Sequence, residues 1–134
     1  MPDHRFSTFL REALDTIALG SPGHHRRLVV LMRPLRLRLH IDGEDLLVSS
    51  DGDNIHLGDS DDEEATVVLE SSRGAILALL DAERTLEESV LEESIVLRGE
   101  VDTLLLFHDG LLIFLNGAAR CPSMSRLLQQ YRGG

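Results

Sequence analysis

Leu35-Arg36-Leu37-Arg38-Leu39-His40-Ile41 alternates apolar and polar residues without a fault. Only an extended strand sorts such a pattern onto two faces, because successive side chains of a strand point to opposite sides. The segment therefore turns Leu35, Leu37, Leu39 and Ile41 toward a core and Arg36, Arg38 and His40 toward water. A slip of one residue would bury two unpartnered guanidinium groups at prohibitive cost. Asp42-Gly43 follows, a dipeptide suited to the positive φ angles of a type I′ hairpin turn. A second strand near 45–49, an Asp51-Gly52 turn and a third short strand around 54–57 complete an antiparallel meander with a solvated outer face.

Around this meander the chain reads as alternating helices and strands. Phe6, Phe9, Leu10, Ala13, Leu14 and Ile17 recur at spacings of three and four, one stripe of an amphipathic helix, which Gly20-Ser21-Pro22-Gly23 ends. Leu28 to Met32 fits either a buried strand or a helical turn, and His24 and His25 read as loop beside Gly23. Residues 59–64 form an acidic loop without the alternating ligands, central Gly and closing Glu of a calcium-binding loop. A fourth strand covers 65–70, and Ser71 or Ser72 caps a helix containing Ile76, Leu77, Leu79 and Leu80. Thr85 and Glu88 stand in capping-box relation, which starts a short helix to Leu91. Ile95-Val96-Leu97 is a fifth strand, ended by Gly99. A long helix from about Val101 to Asn116 follows, closed by Gly117, and after Pro122 the spacing of Met124, Leu127, Leu128 and Tyr131 gives a terminal amphipathic helix. The reading is one mixed α/β domain over residues 1–134, with no internal repeat.

Hydrophobic residues at 43% can supply its core, but with 4% aromatics and no Trp that core must be built mainly from Leu, Val and Ile. Cys121 is the only cysteine, so an intramolecular disulfide and a Cys-based structural zinc site are excluded, which fits a reducing, cytoplasmic setting. The first 19 residues are amphipathic and lack a signal-peptide pattern. The longest apolar stretch, Leu104 to Leu115, is broken by His108, Asp109 and Gly110, so membrane insertion is not expected. A net charge of −10 argues against binding nucleic acid or an anionic bilayer. That charge is unevenly spread: residues 1–41 carry seven Arg against Asp3, Glu12 and Asp15, and the remainder is strongly acidic. All thirteen basic residues are Arg, which reads as the compositional bias of a GC-rich bacterial genome.

The sequence contains no nucleophile elbow, P-loop, dinucleotide fingerprint or zinc-protease motif. Cys121, just before Pro122, has no partner His nearby in sequence and reads as a structural thiol. His24 and His25 point apart, and His40 lies on the wet face of its strand, with His56 as its expected cross-strand neighbour. Nothing makes three ligands converge on a metal. No catalytic residue, metal or cofactor is therefore assigned, and the chain is read as non-enzymatic.

The long helix carries more information. At about 100° per residue, Val101, Leu104, Leu105, Leu111, Leu112 and Leu115 cluster on one side, with Phe107 and Phe114 extending it, while Leu106 and Ile113 lie nearly opposite. A helix apolar over so much of its surface must be enclosed or must line an apolar space. His108 falls within the main stripe. Two readings stand: a core histidine bonded to a backbone carbonyl, or a polar contact for the head of a lipid.

The strand Ala-Thr-Val-Val-Leu-Glu at 65–70, leading into Ser-Ser-Arg-Gly-Ala-Ile-Leu-Ala-Leu-Leu-Asp, a helix beginning near Thr85 and then Ile-Val-Leu-Arg-Gly-Glu, resembles the sterol carrier protein family. So does the order of elements over most of the chain. Where the family often has Gly after the first of these helices, this chain has Ala82; where it often has Gly before the returning strand, it has Glu93; Gly99 is retained. The resemblance implies a five-stranded, mainly antiparallel sheet covered on one side by helices and enclosing an apolar tunnel, with the terminal helix near its mouth. The function so implied is shielding of an apolar ligand, a fatty acyl, sterol or isoprenoid chain, between sheet and helices. Its expected lining is Leu104, Leu105, Phe107, Leu111, Leu112, Phe114 and Leu115, with Met124 and Leu128 from the last helix and His108 as the polar contact. The rival reading is an accessory subunit with a self-filled core whose acidic face binds a basic protein partner; a homodimer is also compatible with the sequence.

Overall fold

The alternation at 35–41 becomes strand β1 (Arg36–Ile41) of a computed structural model that describes residues 5–59 and 65–133. Leu35, Leu37, Leu39 and Ile41 are buried to 7% exposure or less, while Arg36 is exposed and Arg38 and His40 are half-buried on the opposite face. Asp42 (φ 48°) and Gly43 (φ 83°) both take positive φ, as a type I′ turn demands, and return the chain into β2 (Glu44–Ser50). β3 (Ile55–Asp59) completes the meander; β4 (Val67–Ser71) and β5 (Val96–Gly99) extend the sheet from the other side. The order is β3-β2-β1-β4-β5, antiparallel throughout except for the parallel β1–β4 pair. The acidic segment 60–64 lies outside the described residues.

Helices α1 (Phe6–Gly20), α2 (Pro22–Leu31), α3 (Arg73–Leu80), α4 (Leu86–Leu91), α5 (Val101–Ala119) and α6 (Met124–Arg132) cover one face. Two of them start where their sequences say. The Ser72 hydroxyl accepts the Ala75 N–H, and Thr85 and Glu88 form the reciprocal capping box. α1 has no side-chain cap of its own. Glu44 supplies one from β2, its carboxylate accepting the Phe6 N–H at 2.6 Å and the Ser7 N–H at 3.2 Å. Asp42, two residues earlier, accepts the Arg73 N–H at 2.8 Å at the start of α3.

Three expectations are corrected. His24 and His25 stand on α2: Pro22 occupies the first helical turn, where its missing N–H costs nothing, so Pro-Gly here starts a helix. His40 and His56 are not cross-strand neighbours, because β2 lies between them. His40 pairs with Asp45 at 3.3 Å, and His56, opposite Ser49, pairs with Asp51 at 2.7 Å. Gly117 does not close α5 but lies inside it, buried, where a Cβ would come within 3.0 Å of His24 and 3.1 Å of Ile17.

Candidate functional site

Between the sheet and the helical layer lies a cavity of about 120 Å³. The sheet contributes the inward side chains that the alternation dictates, Leu37, Leu39, Ile41, Val48, Ile55 and Leu69, with Leu35 just before β1. The stripe of α1 gives Phe6, Phe9, Leu10 and Leu14, α2 gives Leu28 with Met32 just after it, and α3 gives Ile76, Leu79 and Leu80. α5 closes it with Phe107, Gly110, Leu111 and Phe114. No polar side chain is among the lining residues. Such a space stays dry, since water needs two to four polar partners, and an engineered apolar cavity of about 150 Å³ takes up benzene. The volume here thus fits a ring or a short run of methylenes.

Of the residues expected to line an apolar space, Phe107, Leu111 and Phe114 do so. Leu104, Leu105, Leu112 and Leu115 do not. Leu105 and Leu112 are 59% and 45% exposed, and Leu104 and Leu115 are half-buried against the core outside the cavity. α5 is rotated relative to the expectation because Gly110 and Gly117 face inward. At Gly110 a Cβ would lie 3.3 Å from Leu31 and 3.6 Å from Leu28, so a larger residue would push the Leu31 side chain aside by a few tenths of an ångström where α5 meets α2. Counting apolar side chains put the stripe's centre on the leucines; the two glycines, seven residues apart, were the overlooked signal. At 19 residues α5 has the length and apolar composition of a membrane-crossing helix, yet its glycine side is packed in the core.

Met124 and Leu128 do not line the cavity either. Met124 is buried and Leu128 half-buried in α6, which packs on α1 and α3, so the last helix sits behind the wall of the cavity. His108 is neither a core histidine nor a cavity group. Its Nε2 lies 2.8 Å from Glu87 Oε1 of α4, with a third of its side chain exposed. The Glu87 carboxyl is held below the usual range, chiefly by its own backbone N–H, then by the Thr85 hydroxyl and His108. α1, α2 and α3 contribute more of the lining than the sequence alone predicts. Their apolar spacing was legible, but it distinguishes core from solvent, not filled core from cavity.

Behind Phe6 and Phe9 stands Tyr131, 2% exposed, stacked on Phe9 at 5.1 Å and edge-on to Phe6 at 5.7 Å. The Arg73 guanidinium sits 4.9 Å over its ring and donates to its backbone carbonyl at 2.9 Å. Among the described residues the Tyr131 hydroxyl has no hydrogen-bond partner. Nor, among them, does any group of three or more His, Cys, Asp or Glu converge as metal ligands would.

A mixed five-stranded sheet, helices on one face and an apolar cavity between them define a class: α+β domains with an interior reserved for apolar contacts. No family model and no curated protein matches the chain in sequence. Solved structures do match in fold. A ubiquinone synthesis protein, UbiJ-SCP2, superposes with a TM-score of 0.63 at 13% identity, over 81% of this chain and 94% of its own. The sterol carrier protein domain 2 of Helicoverpa armigera gives 0.63 at 9% identity, over 81% and 87%. Sterol carrier protein 2 from Yarrowia lipolytica, in its apo form, gives 0.53 at 13% identity, over 77% and 89%. The chain has the sterol carrier protein fold.

Proposed function

We propose that the protein is a non-catalytic, cytoplasmic carrier that holds the hydrocarbon part of a lipid in the cavity between sheet and helices. The observation that carries this reading is the lining itself, apolar at every position on eight different elements. Each methylene transferred there gains about 0.8 kcal/mol, so a short segment suffices for useful affinity. A carboxylate or hydroxyl drawn inside would find no partner and would cost several kcal/mol. The buried portion of the ligand is therefore pure hydrocarbon, an acyl, sterol-ring or isoprenoid segment, with the polar head left at the surface. The cavity also disfavours the rival reading of an interior filled by its own side chains.

The test is titration with a fluorescent fatty acyl probe, with and without competing unlabelled lipids, on the wild-type protein and on Leu111→Trp. The indole would fill the cavity from α5 at a cost of about 1–3 kcal/mol in stability. Saturable uptake by the wild type, lost in a Leu111→Trp variant that retains its circular dichroism spectrum, supports a carrier. Failure of the folded wild type to take up acyl, sterol and isoprenoid probes alike refutes it.

A further inference from the structure

We propose that α5 carries a second apolar face, outside the cavity, that receives a helix of another protein bearing Lys or Arg along its flanks. The face is a seam of Val101, Leu105, His108, Leu112, Leu115 and Ala119, spaced four, three, four, three and four residues apart. That is the heptad spacing by which one helix packs along another. The seam lies on the helix side away from Gly110 and Gly117; Glu87 meets its His108 and Leu115 is half-buried against the core, while among the described residues Val101, Leu105, Leu112 and Ala119 stay exposed. Val101 is 71% exposed, Leu105 59% and Leu112 45%. A helix apolar on both sides normally has both sides enclosed; here one is enclosed by the protein's own core and the other faces solvent.

Charge identifies the occupant. Asp102 and Asp109 flank the seam on one side, and on the other Glu87 holds His108. The surrounding stretch 83–109 adds Glu83, Glu88, Glu92, Glu93 and Glu100 against only Arg84 and Arg98, which are already held by Glu92 and Glu70. A second copy of α5 would present the same two aspartates and no cation at a flanking position. An anionic bilayer meets the same repulsion. A helix with Leu at its seam and Lys or Arg beside it buries the leucines and satisfies the aspartates together. Because Leu111 lines the cavity from the helix that carries the seam, such a partner would grip the very element that closes the cavity.

Two synthetic helices three heptads long, both with Leu at the seam, one with Lys and one with Glu at the flanking positions, distinguish the possibilities. The wild type should bind the Lys peptide and ignore the Glu peptide. Leu105→Ser combined with Leu112→Ser should weaken binding by about tenfold or more, as expected when anchoring side chains are removed. Leu19→Ser, at an 88% exposed leucine of α1, should change nothing. Asp102→Lys combined with Asp109→Lys should reverse the preference. Circular dichroism keeps loss of binding apart from loss of fold, since every altered side chain is solvent-exposed. The proposal is overturned if the two peptides bind alike, or if the serine pair leaves binding intact. It is equally overturned if that pair instead dissolves a homodimer seen by sedimentation, or abolishes uptake by phosphatidylcholine vesicles.

Discussion

Tyr131 stacks on Phe9 with ring centroids 5.1 Å apart and planes 22° from parallel, joining the last helix to the first behind the cavity wall. Burial pushes the phenol from its ordinary value near 10 up to about 12, with the Arg73 cation opposing and the Asp42 and Glu44 carboxylates adding to the rise. It is the only tyrosine, so phenolate absorbance reports on it alone. The titration should centre near pH 12. The neutral phenol is the form the fold favours, so its contribution to stability is intact below pH 10 and is lost as pH rises through about 12. Chemical denaturation across that window should show the decline, and Tyr131→Phe should remove it. Because the hydroxyl is buried without a partner, Tyr131→Phe at pH 7 should be neutral or slightly stabilising; a loss beyond about 1 kcal/mol would imply a hydrogen bond to that oxygen.

Ala82 and Glu93 occupy left-handed backbone positions, with φ of 60° and 63°. They follow α3 and precede β5, the two places where the sterol carrier family often has glycine. A side chain there costs roughly 1–2 kcal/mol, partly offset by the greater chain entropy of glycine in the unfolded state. Ala82→Gly and Glu93→Gly should each raise stability by up to about 1 kcal/mol, read as an increase in thermal midpoint.

Gly99 is constrained by space. A Cβ at this position would sit 2.7 Å from the Thr66 carbonyl oxygen, beside the β4–β5 pairing. The obstacle is backbone and cannot rotate away. Gly99→Ala should destabilise by about 1–3 kcal/mol in urea unfolding; a neutral result would mean that β5 shifts freely at its end.

His108→Phe should cost no more than about 1 kcal/mol, the range of a partly exposed ion pair. Uptake of a fluorescent acyl probe should be unchanged, because His108 does not reach the cavity. A fall in probe affinity without a fall in stability would restore His108 as a ligand contact.

How legible this was in the sequence depended on whether the signal was local. The β1 alternation and the Thr85–Glu88 box are written within a few residues, and each became the element expected of it. The parallel pairing of β1 with β4 joins Leu37 to Val67, thirty residues apart, and was not read from the residues. α5 was legible as a helix but not in its rotation, because close approach at Gly110 and Gly117 depends on what α2 and α1 place opposite. Phe107, Leu111 and Phe114 entered the cavity only because they border that glycine side. Pro22 misled in the other direction, since one residue type ends helices and begins them.

The turn Asp42–Gly43 has a consequence for how the molecule opens. Asp42 holds the first amide of α3 and Glu44 the first two of α1, so breathing of this hairpin would release the amides of Arg73, Phe6 and Ser7 together. Amides that are distant in sequence would then exchange with solvent at one common rate, set by the lifetime of the turn. The start of α1, which lacks a cap of its own, borrows its persistence from a strand it does not adjoin in the chain.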